Sequence, residues 1–391
     1  MTTGAPLRTD LAPPGHPLER LPEEWAEVFA SWGEPAFRGK QAFLWIHRDG
    51  VLDPAKMTNL PARVRERMTE ELGGAPAEIS HLHASADRTR KMLIKFGDGR
   101  EVESVLIPQL RDVDPDGDED ELEVKPGRVA GARVTQCISS QVGCAMGCVF
   151  CASGVAGLKR HLSGAEIIAQ VLLGRAALDE HEALRNVVFM GMGEPLHNYG
   201  AVARALVLLT HPEGIALSKR RVTVSTSGLV PEIDRLAKDF GGQVRLAISL
   251  HSVNNERRSE IMPINRKYPL PVLMDALRRY PLPKRARITI EYTLIRGVND
   301  SVAEAKDLVK LLARIPAKVN LIPMNPITGS PLGAPEWESV ERFQATVHGL
   351  GLACTVRTQR GDDISAACGQ LALHGEKRKV KMRLPTTRDE N

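Results

Sequence analysis

The chain has 391 residues, 42% of them hydrophobic, with a formal net charge of +4 and a sequence pI near 8.7. That length suggests two or three domains, and the mild basic bias admits an RNA or DNA partner without requiring one. Six cysteines in so long a chain exclude a disulfide framework, no apolar run is long enough to span a membrane, and the N-terminus lacks a secretory pattern, so a cytoplasmic protein is expected.

Residues 1–18 are Pro- and Gly-rich and are expected to be disordered. Over residues 21–72 the spacing turns helical: Trp25, Val28, Phe29 and Trp32 recur near i, i+3, i+4 and i+7. Gly33-Glu34-Pro35 ends that pattern. Phe37, Gln41, Leu44 and Trp45 start a second helix, with Arg38, Lys40, His47 and Arg48 on its other side. Thr58 and Asn59, ahead of Leu60-Pro61, are placed to cap a third. Residues 19–75 thus predict a helical module with a basic face, either a solvated surface or an RNA-backbone contact.

The period changes over residues 78–108. Met92 to Phe96, the turn Gly97-Asp98-Gly99 and Val102 to Ile107 predict a hairpin. Residues 110–131 are acidic and rich in Gly and Pro, which predicts a solvated, mobile insertion. The glycine and terminal glutamate spacing of a calcium-binding EF-hand loop is missing there. The hairpin and insertion together make up a segment at 76–132.

From residue 133 to 373 short β-rich runs alternate with helical stretches. Strands are expected at 134–139, 186–190, 221–225, 245–249, 287–294, 318–322 and 354–357, with helices such as 164–177, 202–209, 301–313 and 339–349 between them. That alternation predicts an α/β fold, a partial parallel barrel of the (β/α)6 type. The residues with chemical potential fall just past strand ends, where a parallel barrel assembles its site: Gly191 to Pro195, Ser225 to Gly228, Ser249 to His251, and Met324-Asn325-Pro326. The tail, 374–391, carries Lys377, Arg378, Lys379, Lys381 and Arg383, as a solubilising end or a phosphate-binding strip.

The loop after the first barrel strand, residues 143–151, holds Cys144, Cys148 and Cys151 in a C-x3-C-x2-C run. Thiolates select soft metals: zinc, copper(I), or iron in a cluster. A structural zinc site takes four ligands, and no fourth Cys or His stands at finger spacing. Three thiolates suit a [4Fe-4S] cluster with one iron open to an exogenous ligand. Three buried core cysteines, or a solvent-facing redox cluster, are the plainer readings. The spacing resembles the signature of radical S-adenosylmethionine enzymes, in which the open iron holds the amino and carboxylate groups of S-adenosylmethionine.

Further motifs resemble one family more closely. Residues 137–144 with Cys148 and Cys151, Gly191 to Pro195, Val224 to Gly228, Ser249 to Ser252, and Arg360 to Asp363 with Cys368 are similar to the radical methyl synthases of the RlmN/Cfr type. So are Phe37 to Gln41 and Met57 to Pro61, and the likeness runs from about 21 to 373. The acidic insertion is the departure, and it lengthens the link between Glu103 and the barrel.

The resemblance implies methylation of an adenosine in RNA, at C2 for RlmN-type proteins and at C8 for Cfr-type ones. The substrates it implies are an adenosine at the peptidyl transferase centre of 23S rRNA and the adenosine beside the anticodon of some tRNAs. It implies catalytic roles for Glu103, Cys137 and Cys368, a cluster on Cys144, Cys148 and Cys151, and contacts to S-adenosylmethionine from Gly193, Glu194, Ser225, Ser249, Leu250, His251 and Asn325. Cys368 would accept a methyl from one S-adenosylmethionine. A 5′-deoxyadenosyl radical from a second would then remove hydrogen from it, and the methylene radical would add to the base. Glu103 would take the ring proton, and a Cys137–Cys368 disulfide would free the product. Two S-adenosylmethionine molecules per turnover, an external electron donor, a disulfide reductant and a monomer follow. A radical enzyme with a small substrate needs neither Cys137 nor Cys368, and a non-enzymatic iron–sulfur or zinc RNA-binding protein is the other alternative. Cys354 has no assigned role and is expected in the core.

Overall fold

The computed structural model describes residues 11–73, 76–109, 132–325, 327, 330–357 and 360–371. The acidic insertion at 110–131 and the basic tail lie outside the described residues.

The helical module comprises α1 (Pro22–Ser31), α2 (Phe37–Phe43), continued by a π turn over Leu44–Arg48, and α3 (Ala62–Leu72). Ordered chain begins earlier than expected: Pro17–Glu19 is a 3-10 turn, and Leu18 is buried in the core. Two local expectations need correction. His47 is not on a basic face but fully buried, its ring against Phe43 and near His211, which meets the same Phe43 edge-on. Its expected neighbours there are paired: Arg38 with Glu34, Lys40 with Glu213, Arg48 with Asp49. Nor does Asn59 cap α3, which follows Pro61 without a side-chain cap; Asn59 Oδ1 accepts from Trp45 Nε1 at 2.6 Å.

Next come β1 (Ala77–Ala84), β2 (Arg90–Phe96), β3 (Glu101–Pro108) and β4 (Ala132–Cys137). The expected hairpin is β2–β3. β1, half-exposed and polar, adds an antiparallel edge that the sequence pattern does not reveal. After β4 come β5 (Gln141–Val142), α4 (Ala152–Ala156) and β6 (Arg160–His161), a small antiparallel pair framing the cysteine loop.

The barrel then alternates α5 (Gly164–Ala176), β7 (Glu182–Phe189), α6 (Tyr199–Thr210), β8 (Val222–Thr226), α7 (Val230–Phe240), β9 (Arg245–Ser249), α8 (Asn255–Ile261), α9 (Leu270–Arg279), β10 (Ile288–Leu294), α10 (Val302–Leu312), β11 (Ala317–Pro323), α11 (Trp337–Gly349) and β12 (Cys354–Val356). All ten strands of the main sheet run in the order β1-β2-β3-β4-β7-β8-β9-β10-β11-β12. From β4 to β12 the neighbours are parallel, six strand–helix crossovers plus a closing strand, and β12 does not pair back onto β4. The partial (β/α)6 barrel is therefore open. Its free side is flanked by the hairpin, since β3 pairs antiparallel with β4, setting Val105 opposite Cys137. Along β10 one face is apolar, with Ile288, Ile290, Tyr292 and Leu294 fully buried, while the alternate positions Glu291 and Thr293 are polar and line the cavity inside the barrel.

The module docks on α5 and α6. Arg175 donates to the carbonyls of His47 and Arg48 at 2.9 and 2.7 Å, Arg204 pairs with Glu24, and Glu19 accepts from the Ala165 N–H at the start of α5.

Candidate active site

The C-terminal ends of the parallel strands surround a cavity of about 160 Å³. Every strand from β7 to β12 contributes a residue at or just past its end. Among them are Glu194, Ser225, Ser249, Thr293, Asn325 and Arg357; the cysteine loop closes one wall and Cys368 another. This is the rim where a parallel barrel presents the loops that carry chemistry.

Cys144, Cys148 and Cys151 all line this cavity. The loop must turn sharply to bring them there. Gly143 sits at φ +75°, where a Cβ would lie 1.9 Å from the Gly157 carbonyl oxygen, so only glycine fits. Burial pushes the Cys144 thiol up to about 12, and burial with the charges of Cys151 and Cys144 raises Cys148 well above the ordinary thiol range. Three sulfurs that resist ionisation, Cys144 buried and Cys148 and Cys151 partly so, together need a multiply charged cation to hold them as thiolates. Among the described residues no three His, Cys, Asp or Glu side chains converge as a single metal ion would require. Three thiols along one wall suit a cluster, whose irons each take a different sulfur, better than a lone zinc.

Opposite them lies Glu194, buried and making no ion pair among the described residues. Its carboxylate accepts from the Ser227 N–H and Oγ at 2.7 and 2.8 Å and from the Leu196 N–H at 3.1 Å; desolvation still raises its pKa. A buried carboxylate of this kind fits an ammonium group, such as that of S-adenosylmethionine. Gly193, at φ +105°, leaves room that a Cβ would take 2.6 Å from Gln141 Cβ. Ser225, Ser249 and Asn325 supply further polar groups to the cavity. His251 reaches the same cavity through a strained backbone, φ +55°. Its Nδ1 accepts from the Thr293 N–H at 2.8 Å, which places its proton on Nε2, and burial lowers its pKa to about 3. Leu250 does not line the cavity: its side chain is fully buried, and its N–H and carbonyl bond to Glu291 O and Arg258 Nε.

Cys137 and Cys368 meet across a second, smaller cavity of about 30 Å³, which adjoins the first. Met190, Ile322, Asn325, Arg357 and Cys368 line both. Both thiols are free. Cys137 is pushed up to about 12 by burial and by the charge of Cys368. Bonds that hold the segment around Cys368 include Asn325 Nδ2 to its carbonyl at 2.8 Å, Ala152 N–H to Gly369 O at 2.8 Å, Lys91 Nζ to Ser365 O at 3.3 Å, and Ser153 Oγ to Leu371 O.

Glu103 lines neither cavity. It is buried on β3 and ion-paired to Lys91 at 3.1 Å; both side chains are nearly fully enclosed. Val105, two residues on and so on the same face of β3, does line the smaller cavity.

Four residues were not singled out from the sequence. The Arg357 guanidinium faces Cys368, Glu291 and Cys137, whose charges raise its pKa in that order of effect around a burial cost. Glu291 accepts from Asn320 Nδ2 at 2.8 Å and lines the main cavity. Arg258, fully buried, donates to the carbonyls of Leu250, Ser227 and Ser249 and to Asn265 Oδ1, fixing the loops after β8 and β9. Lys91 links Glu103 to the Cys368 segment. The one available signal was position, and only for Arg357, which lies just past the end of β12; Glu291 sits in the middle of β10.

Two family models match the chain: the Radical SAM superfamily over residues 138–311 and the ribosomal RNA large subunit methyltransferase N-terminal domain over 20–72. The chain is 59% identical over 387 residues to a dual-specificity RNA methyltransferase RlmN of Sorangium cellulosum, spanning 95% of this chain and 99% of that protein. It is 46% identical over 349 residues to the protein of that name from Geotalea uraniireducens, 89% and 94% of the two chains. A radical SAM methyltransferase from Sphaerobacter thermophilus has a similar structure, with a TM-score of 0.82 at 42% identity over 92% of this chain and 99% of that one.

Proposed function

The chain belongs to the RlmN family of radical SAM RNA methyltransferases, and from that premise we propose that it methylates C2 of an adenosine in RNA, with Cys368 carrying the methyl group and Cys137 releasing the product. By the family likeness the RNAs are 23S rRNA and tRNA. The observation that carries the reading is that Cys137 and Cys368, far apart in sequence, line one small cavity adjoining the one lined by the three loop cysteines.

Cys144, Cys148 and Cys151 would hold the cluster, and Gly193, Glu194, Ser225, Ser249, His251 and Asn325 would surround S-adenosylmethionine. When bound, these groups supply the one-electron chemistry that adenine C2 requires, because that electron-poor carbon cannot attack a methyl sulfonium. Leu250 would act by position, its backbone held by Glu291 O and Arg258 Nε so that Ser249 and His251 on either side reach the cavity.

Cys368 accepts the methyl on sulfur, with Arg357 balancing the charge of the attacking thiolate. Once sulfur, methylene and base are joined, the adduct would return one electron to the bound cluster while Glu103, drawn out of its ion pair with Lys91, takes the ring proton; Lys91 ties that carboxylate to the Cys368 segment. Cys137 thiolate then attacks the Cys368 sulfur. The S–S bond forms and the S–CH2 bond breaks, leaving its electron pair on the carbon, which takes a proton to become the methyl group. The disulfide must then be reduced from outside before another round.

Nucleoside mass spectrometry of RNA treated with the reconstituted protein tests the proposal. 2-Methyladenosine is expected; 8-methyladenosine would replace the C2 reading with C8. Cys368→Ala should yield no methylated RNA, and Cys137→Ala should accumulate a covalent protein–RNA conjugate. Full turnover by Cys137→Ala would overturn the assigned sulfur chemistry.

A further inference from the structure

The loops that enter β8, β9, β10 and β11 lie at the end of the barrel opposite the cysteine cavity. Over residues 218–221, 241–245, 280–287 and 313–318 they carry nine Lys or Arg and no Asp or Glu. They form one surface. Lys219 Nζ donates to Gln243 Oε1 at 2.9 Å, Gly242 packs so closely that a Cβ would sit 1.9 Å from the Pro281 oxygen, and Ile288 N–H donates to Pro316 O at 2.9 Å. Neighbouring strands are about 4.8 Å apart, so four strand ends spread this charge over roughly 15 Å.

Lys284, Arg285, Arg287 and Arg314 are exposed and, among the described residues, make no ion pair. Arg285 adopts φ +68°, a left-handed turn position where glycine would be easier, yet a long cation stands there.

We propose that this face is a second RNA surface, gripping the phosphate backbone of a long substrate away from the target base. The inference rests on the RNA reading above. Tyr280, the sole aromatic on these loops, is buried, so no ring is offered for base stacking and the contact is with phosphates, independent of sequence. RNA is favoured over other polyanions because the active site already tethers it, and a tethered chain meets a second site at high effective concentration. Strands of five to seven residues separate the two ends by roughly 20 Å. A long RNA can bridge that distance and a short hairpin seated in the cavity cannot.

The test compares wild type with K284Q/R285Q/R287Q, both full-length and cluster-loaded. Filter binding is measured against a long 23S rRNA fragment and a short hairpin with the same target adenosine. The triple variant should bind the long RNA about tenfold more weakly near 0.1 M salt, with a log–log salt slope shallower by about two to three, one phosphate contact per lost cation. Hairpin binding and methylation should be unchanged. Equal affinity and slope for the long RNA, or equal loss on both RNAs, would overturn the proposal. So would wild-type binding to phosphatidylserine vesicles that the variant loses while its RNA binding stays intact. Binding is read apart from methyl transfer: if this face grips RNA but no 2-methyladenosine forms, the reaction assigned above fails and this surface stands.

Discussion

Cys137 is a poor nucleophile as it stands. Burial and the neighbouring Cys368 push its thiol up to about 12, so at neutral pH it is protonated, and only the thiolate attacks sulfur. Below that value the thiolate fraction grows tenfold per pH unit. Resolution of the protein–RNA conjugate, followed by quenched flow and gel mobility, should therefore accelerate about tenfold per unit between pH 7 and 9; a flat profile would mean that another group controls release. Arg357 works on the other sulfur. A charge-assisted contact is worth about 1.5–3 kcal/mol, so Arg357→Gln should slow methylation of Cys368, read by peptide mass spectrometry, by roughly 10–100-fold, while bound iron stays unchanged. Cysteines of this kind are legible in a sequence because few residue types do their chemistry. Arg357 and Glu291 are not, because an arginine or glutamate gains meaning only when folding sets it against a partner 11 or 66 residues away (Cys368 for one, Arg357 for the other).

At the scale of single elements, the cysteine loop depends on its glycine and the barrel rim on a buried cation. Gly143→Ala would force a methyl against the Gly157 carbonyl and a side chain into a left-handed turn. Overpacking and strain together cost about 3 kcal/mol, so the variant should lose iron per chain as well as stability, in metal analysis and in denaturant midpoints. Arg258→Met would leave the carbonyls of Leu250, Ser227 and Ser249 without their shared donor, and at about 1–3 kcal/mol for each orphaned acceptor should cost about 3 kcal/mol or more. The sequence revealed the parallel strands because their apolar runs alternate with amphipathic helices, a signal within reach of a short window. It did not reveal β1, whose polar, half-exposed residues become a strand only by pairing with β2. Nor did it reveal Arg258, whose charge argues for a surface until four acceptors close around it.

The whole molecule is joined where the helical module meets the barrel, and His47 stands at that seam. Read along α2 it belongs to a basic face; in the fold it packs on Phe43, with Gly214 pressed against both side chains. Helical periodicity could not anticipate this, because part of the surface around His47, His211 and Gly214, lies in the turn after α6, more than 150 residues later. Burial lowers its pKa from 6.5 to about 3. Between those values the unfolded chain binds a proton that the folded chain refuses, so stability rises with pH across that window and is lost as pH falls through it. His251, also lowered to about 3, adds a similar slope from the active site. From pH 6.5 to 5 each histidine should cost up to about 2 kcal/mol. Urea unfolding at the two pH values should show this loss. His47→Leu, which keeps the apolar contact with Phe43 but removes the titrating group, should recover its own share, up to about 2 kcal/mol, and leave that of His251 and of His16, His161 and His211, which burial also lowers. If the variant loses as much stability on acidification as wild type, protonation at the seam is not what loosens the module, and the acid sensitivity belongs to the barrel alone.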